Sequence, residues 1–156
     1  MSFRRGVRLG IDVGTARVGV ARCDPDGMLA VPVETVPRDD RALARVTQLA
    51  EEHGAFEILV GLPVSLRGND TSSTEDARAF AHGIAEATGL PVRLVDERLS
   101  TVTAHTALRQ SGRTQRSSRR IVDQVAAVVL LQQAIDVEKG TGTPAGALVH
   151  IPQEPA

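Results

Sequence analysis

The sequence predicts a single mixed α/β domain. Its sheet has five strands, an antiparallel meander followed by parallel strands, and is flanked by helices. Three observations predict this. Apolar residues alternate with a period of two through residues 7–36, interrupted only by short turn-type links. The period then lengthens to that of a helix over residues 39–52. Beyond that point short apolar runs and helical patterns take turns, the arrangement that produces crossovers to parallel strands. At 156 residues the chain is long enough to bury about two-thirds of its unfolded surface around one core. The domain is expected over residues 1–138, with a loosely ordered tail over 139–156.

Residues 7–13 and 17–23 read as the first two strands, and Gly14-Thr15-Ala16 between them is short enough for a hairpin. Asp24-Pro25-Asp26-Gly27 is a turn signal, and residues 28–36 resume as a third strand in which Pro32 indicates a sheet edge. Leu43, Val46, Leu49 and Ala50 recur at helical spacing, with Asp39 or Asp40 as the start signal and Gly54 as the stop. Residues 56–62 form a continuous apolar run, typical of a strand buried on both faces. A loop over 63–71 precedes a helix over 73–88. Ser72-Ser73-Thr74-Glu75 fits a capping box at its start, and Gly89 fits its end. A fifth strand follows over 91–96, then a helix over 101–110, a polar stretch over 111–118 and a last helix over 119–137 that Ser117 or Ser118 would cap. In the tail, residues 147–151 have strand character.

Composition narrows the function. The chain is 42% hydrophobic and 24% charged with net charge -1, the balance of a soluble globular protein. No apolar run reaches the ~18 residues of a membrane span, and residues 1–5 lead into no signal-type apolar region, so a cytoplasmic location is expected. Cys23 is the one cysteine; it excludes an internal disulfide and sits in an apolar run, as a buried, inert thiol would. His53, His82, His105 and His150 show no metal-ligand spacing. Without Trp or Tyr, the chain lacks an aromatic platform for stacking single-stranded bases. Of the 18 basic residues all but Lys139 are arginine, and a local basic patch is compatible with the near-zero net charge.

Three places carry carboxylates in apolar settings. Leu9, Ile11 and Val13 alternate with Gly10, Asp12 and Gly14, so Asp12 stands on a strand face between residues without side chains. That reads as space cleared for something large and charged. Asp96-Glu97 closes the fifth strand, and Asp123 lies among Ile121, Val122, Val125, Ala126 and Ala127. The two alanines would let the last helix approach the sheet and bring Asp123 towards Asp12. Buried carboxylates are costly unless paired or metal-bound, and as a cluster they raise one another's pKa. A divalent cation with a preference for oxygen, Mg²⁺ or Mn²⁺, resolves the conflict. Two such ions about 3.5–4 Å apart would support phosphodiester hydrolysis.

Ile11-Asp12-Val13-Gly14, Val60-Gly61-Leu62-Pro63, Asp96-Glu97-Arg98-Leu99-Ser100-Thr101 and Asp123-Gln124-Val125-Ala126-Ala127 occur together and in order. Jointly they resemble the YqgF/RuvX family, described as pre-16S rRNA nucleases or Holliday junction resolvase-like proteins. The resemblance covers about residues 8–135. It implies an RNase H-like fold, and a metal-binding catalytic triad of Asp12, Glu97 and Asp123, with Asp96 as a near-site alternative to Glu97. It also implies a hydrolase that processes the 5′ end of precursor 16S rRNA in ribosome biogenesis. Expected substrate contacts are Thr15 and Arg17 after Asp12, and Gly61, Gly68 and Asn69 in a loop matching the family's Gly-Leu-Pro…Gly segment. Arg98 and a cluster of Arg113, Arg116, Arg119 and Arg120 complete them, the cluster being the best phosphate contact.

The expected partner is structured nucleic acid, with rRNA precursor favoured over branched DNA, together with ribosomal particles. A four-way junction would favour a homodimer, whereas end-processing needs only a monomer. Two other classes compete. Asp12-Val13-Gly14-Thr15 also resembles the first phosphate loop of actin-like ATPases and sugar kinases, but those need a second domain that this chain has no room for. A non-catalytic nucleic-acid-binding factor could keep the fold without the chemistry.

Overall fold

The computed structural model describes residues 3–63, 71–96 and 115–149, the side chains of 115–123 excepted. Within them the elements run β1 (Arg8–Val13), β2 (Arg17–Cys23), β3 (Ala30–Pro37), α1 (Ala42–Glu52), β4 (Glu57–Leu62), α2 (Ser72–Thr88), β5 (Val92–Asp96), α3 (Gln115–Thr141) and β6 (Ala147–Leu148). The helix expected over 101–110 lies outside the described residues. The strand order is β3-β2-β1-β4-β5-β6. β1, β2 and β3 pair antiparallel, while β4 lies parallel to β1 and β5 parallel to β4. The expected meander and parallel extension are therefore present, with Pro32 on an edge strand.

One expectation changes: the sheet has six strands, because Leu148 and Ala147 pair antiparallel with Arg93 and Leu94. α3 continues through Lys139 to Thr141, and Val149 is buried in the core. Helix starts also move. Arg41 rather than an aspartate occupies the N-cap of α1, with no side-chain cap, although Asp39 accepts a hydrogen bond from the Arg41 backbone at 2.9 Å. The capping box of α2 is set one residue earlier than expected. Thr71 caps it, its own N–H donating to Thr74 Oγ1 at 2.9 Å. Thr74 Oγ1 also donates to the Pro63 carbonyl, joining the start of α2 to the end of β4. Gly89 ends α2 in the left-handed conformation that lacks a steric penalty only for glycine.

The period-two alternation divides the core. Leu9, Ile11, Val13, Val18, Val20, Ile58, Val60 and Val92 pack under α1 and α2. The opposite face carries Ala21, Cys23, Ala30 and Leu59 beneath Ala127, Leu131, Ala134 and Ile135 of α3. Cys23 is free and buried, as expected.

The foot of that second face is ionic. Arg8 Nη2 meets Glu138 Oε2 at 3.0 Å, and these side chains are 1% and 3% exposed. Arg4 bridges Glu138 and Glu57, at 2.7 and 2.9 Å, and Arg93 reaches Glu57 at 3.1 Å. The Arg8 guanidinium lies between the rings of Phe3 and Phe56, 4.4 and 4.7 Å from their centroids. Each buried charge has opposite charges in contact, which its desolvation requires. The cluster ties the C-terminal half of α3 to the first residues of β1, β4 and β5.

Candidate functional site

From that anchored foot, α3 runs back along β1 in the opposite direction. Glu138 meets Arg8, and Leu131 and Ala127 lie over Gly10. A Cβ on Gly10 would stand 2.8 Å from Leu131 Cβ and 2.9 Å from the Ala127 carbonyl oxygen. The space beside Gly10 is therefore taken by the helix, which corrects its reading as room for a ligand. Gly14 has a local reason too, since its Cβ would lie 2.7 Å from the Arg17 carbonyl within the hairpin. Ala126 and Ala127 are both buried, so the close approach expected of them is what the fold uses.

Asp12 is the next residue after Gly10 on this face and is half-buried. Advancing two strand residues covers about 6.7 Å, and stepping back four helix residues from Ala127 covers about 6 Å. Asp123 is the residue reached by that step. It lies within α3, and its side chain is outside the described part of the structure.

The cross-strand register extends the site sideways. Asp12 pairs with Gly19, and Gly19 pairs with Thr35, so the three form one row across β1, β2 and β3. Gln124 Nε2 donates to Thr35 Oγ1 at 2.8 Å, joining α3 to the far end of this row. Beside it, Arg17, Thr35, Pro37, Gln124 and Glu34 line a cleft of ≈ 560 Å³. Glu34 is held by Arg45 through contacts of 2.6 and 2.8 Å, and the Arg45 hydrogen bond keeps its carboxyl below the usual range despite burial.

The turn after Asp12 is also clamped. Arg38 Nη1 donates to the Gly14 carbonyl at 3.0 Å, and the same guanidinium forms a two-pronged pair with Asp76 of α2 at 2.7 and 2.8 Å. It stacks 4.8 Å from the Phe80 centroid. The Arg38 hydrogen bond lowers the Asp76 pKa. Sequence reading missed Arg38, Asp76, Thr35 and Gln124 as parts of this corner. Arg38 and Asp76 are too far apart in the chain for any motif, and Gln124 shows only as the neighbour of Asp123.

The remaining expected residues divide as follows. Thr15 is exposed at the hairpin tip, and Arg17 is half-buried in the cleft. Gly61 is buried in β4 opposite Val95. Arg119 and Arg120 lie in α3 as expected, and Arg116 joins them because the helix starts at Gln115, so the three stand at i, i+3 and i+4 in its opening turns; their side chains are not described. Asp96 is exposed at the end of β5, in step with Val92 and Leu94, which face α1 and α2. Glu97, Arg98, Gly68, Asn69 and Arg113 lie outside the described residues. Among the described residues no three His, Cys, Asp or Glu side chains form a metal cluster. The candidate ligand set reaches beyond them, and its donor chemistry, carboxylate oxygen throughout, fits a hard divalent cation.

No helix among the described residues is long and apolar enough to cross a membrane. A chain from Clavibacter michiganensis subsp. michiganensis named "Putative pre-16S rRNA nuclease" is 54% identical over 150 residues, 94% of this chain and 93% of that one. A chain of the same name from Streptomyces avermitilis is 49% identical over 154 residues, 97% and 99% of the two chains. Among solved structures, the fold is similar to Thermus thermophilus RuvC in complex with a Holliday junction substrate. The TM-score is 0.58 at 20% identity, covering 89% of this chain and 99% of that one. That likeness makes the fold RNase H-like. The family model RuvX, described as Holliday junction resolvase, matches residues 6–137. With that match spanning β1 to β5 and α3 nearly to its end, the chain belongs to the RuvX family.

Proposed function

We propose that this protein is a metal-dependent endonuclease that hydrolyses phosphodiester bonds in structured nucleic acid. Its proposed substrate is the 5′ end of precursor 16S rRNA, processed in the cytoplasm during ribosome assembly. The observation that carries the reading is the close approach of α3 to β1 at Gly10. It supports Asp12 and Asp123 as partners, because the next positions along strand and helix advance by nearly equal distances. The names of the curated relatives support the RNA substrate.

In this reading Asp12, Glu97 and Asp123 hold Mg²⁺ or Mn²⁺, two ions in all. When bound, the metal supplies a water nucleophile at neutral pH and neutralises charge on the leaving oxygen. Glu97 is preferred to Asp96 because Asp96 keeps step with the opposite face of β5. The protein contributes position. The ionic foot holds one end of α3, and the Arg38 clamp holds the turn after Asp12. Arg98 and the Arg113, Arg116, Arg119 and Arg120 cluster hold the substrate backbone, with Thr15, Arg17, Gly61, Gly68 and Asn69 nearer the cut.

A second reading, cleavage of four-way DNA junctions by a homodimer, is favoured by the family description. Side-by-side cleavage of a precursor 16S RNA and a four-way DNA junction in Mn²⁺ separates the two. Faster cleavage of the RNA supports the first reading. Cleavage of the junction alone, by a dimer in native mass measurement, replaces it with the second.

A further inference from the structure

Asp12 is one end of a row whose other end is Thr35, and Gly19 between them carries no side chain. Two strand spacings of about 4.8 Å separate the ends. Pro37 pairs with Arg17 in the next row on the same face, just beyond Thr35. The cleft formed by Arg17, Thr35, Pro37 and Gln124 thus lies on the same face as Asp12, two strands away across buried Gly19, with edge strand β3 on its far side.

Its size and lining have a chemical meaning. A volume of ≈ 560 Å³ falls in the range of pockets that take small organic ligands, about 300–1,000 Å³. Arg17 brings a guanidinium, suited to a phosphate. The Thr35–Gln124 pair brings a hydroxyl and an amide, suited to a sugar hydroxyl or a base edge. Pro37 adds an apolar wall. Among the described lining residues the one acid, Glu34, is engaged by Arg45, so its charge is offset.

We propose that this cleft is a nucleotide-binding subsite. It receives the nucleotide flanking the scissile phosphate, with a phosphate on Arg17 and the sugar and base edge on Thr35 and Gln124. This rests on the nuclease reading of Asp12 and adds where the strand runs after it leaves the metal site: towards edge strand β3 on the side where Arg17 lies, since Gly19 itself is buried.

The test compares wild type with Arg17→Gln, Thr35→Val and Gln124→Ala on a precursor 16S RNA, with Asp12→Asn as a separate arm. Thermal melting confirms folding of each variant. Cleavage kinetics in Mn²⁺ and binding of the same RNA in Ca²⁺ across a salt series are then measured. The cleft variants are expected to weaken binding and raise KM by roughly tenfold, the size of one or two lost hydrogen bonds to a charged ligand. The loss should fall more on KM than on kcat. Arg17→Gln alone should lower the salt slope, by about one. Folded variants that bind and cleave the RNA like wild type, with an unchanged salt slope, overturn the subsite even if Asp12→Asn is inactive. If wild type cleaves nothing while the cleft variants still weaken binding, the nuclease reading and the placement beside a scissile phosphate fail together, and the cleft stands only as a nucleotide-binding site.

Discussion

The Ala127 carbonyl oxygen lies 2.9 Å, and Leu131 Cβ 2.8 Å, from the point where a Cβ on Gly10 would stand, so α3 rests on the bare backbone of β1 at Gly10. This contact sets the height of the helix above Asp12. Gly10→Ala is therefore expected to push α3 outward rather than fill a void. Overpacking of this kind costs about 1–3 kcal/mol, or a drop of roughly 2–12 °C in Tm for a domain of this size. Metal-dependent cleavage should fall more than binding. A variant with wild-type Tm and turnover, measured by calorimetry and cleavage assay, would remove the contact from the account.

Glu138 gives a prediction in acid. Burial pushes its carboxyl up, but hydrogen bonds from the Arg4 side chain and backbone, with the charges of Arg8 and Arg4, outweigh that and leave its pKa below the ordinary value. A folded-state pKa lower than the unfolded one stabilises the fold fully above the unfolded value, about 4.3 for glutamate. That contribution is lost as pH falls through the lower folded value. Glu138→Gln should flatten this acid limb of the Tm profile. At pH 7 it should cost about 3–5 kcal/mol, because Arg8 and Arg4 lose their buried counter-charge. An acid limb identical to wild type would contradict this.

Arg38 joins the Gly14 carbonyl to Asp76 in a geometry that needs a planar fork. Arg38→Lys should therefore behave more like Arg38→Gln than like wild type. Both should lower turnover on the proposed substrate with little change in KM, and stability should fall by only about 1 kcal/mol. Full rescue by lysine would reduce the clamp to a simple charge effect.

The residues that were legible in the sequence are those whose signals are local. Alternation placed β1 to β3, and short apolar runs β4 and β5, within a residue or two, and Pro32 marked β3 as an edge. Gly10 was misread because a bare position on a strand face looks the same whether a helix or a ligand covers it. Ala127, the other half of that contact, pointed to the helix all along. β6 falls in the 147–151 stretch that had strand character; what stayed unread was that these two exposed residues, after a segment rich in Gly, Thr and Pro, join the sheet as a sixth strand. The ionic foot was invisible for a different reason: Glu57 sits at the head of an apolar run, and its partners Arg4 and Arg93 lie on other elements.

The arginines at the opening of α3 carry the proposed grip on the nucleic-acid backbone. Replacing Arg116, Arg119 and Arg120 together with glutamine should weaken RNA binding and flatten its salt dependence by up to about three phosphate contacts. Fluorescence anisotropy across a salt series measures both. An unchanged slope would exclude this segment as a phosphate contact.

The most direct test of the central claim is Mn²⁺-dependent cleavage of a precursor 16S RNA by wild type, Asp12→Asn and Asp123→Asn, with RNA binding measured alongside. The account predicts cleavage by wild type, a loss of roughly a hundredfold or more in each variant, and RNA binding within a few-fold of wild type in both. Cleavage by both variants at the wild-type rate would contradict a metal nuclease centred on Asp12.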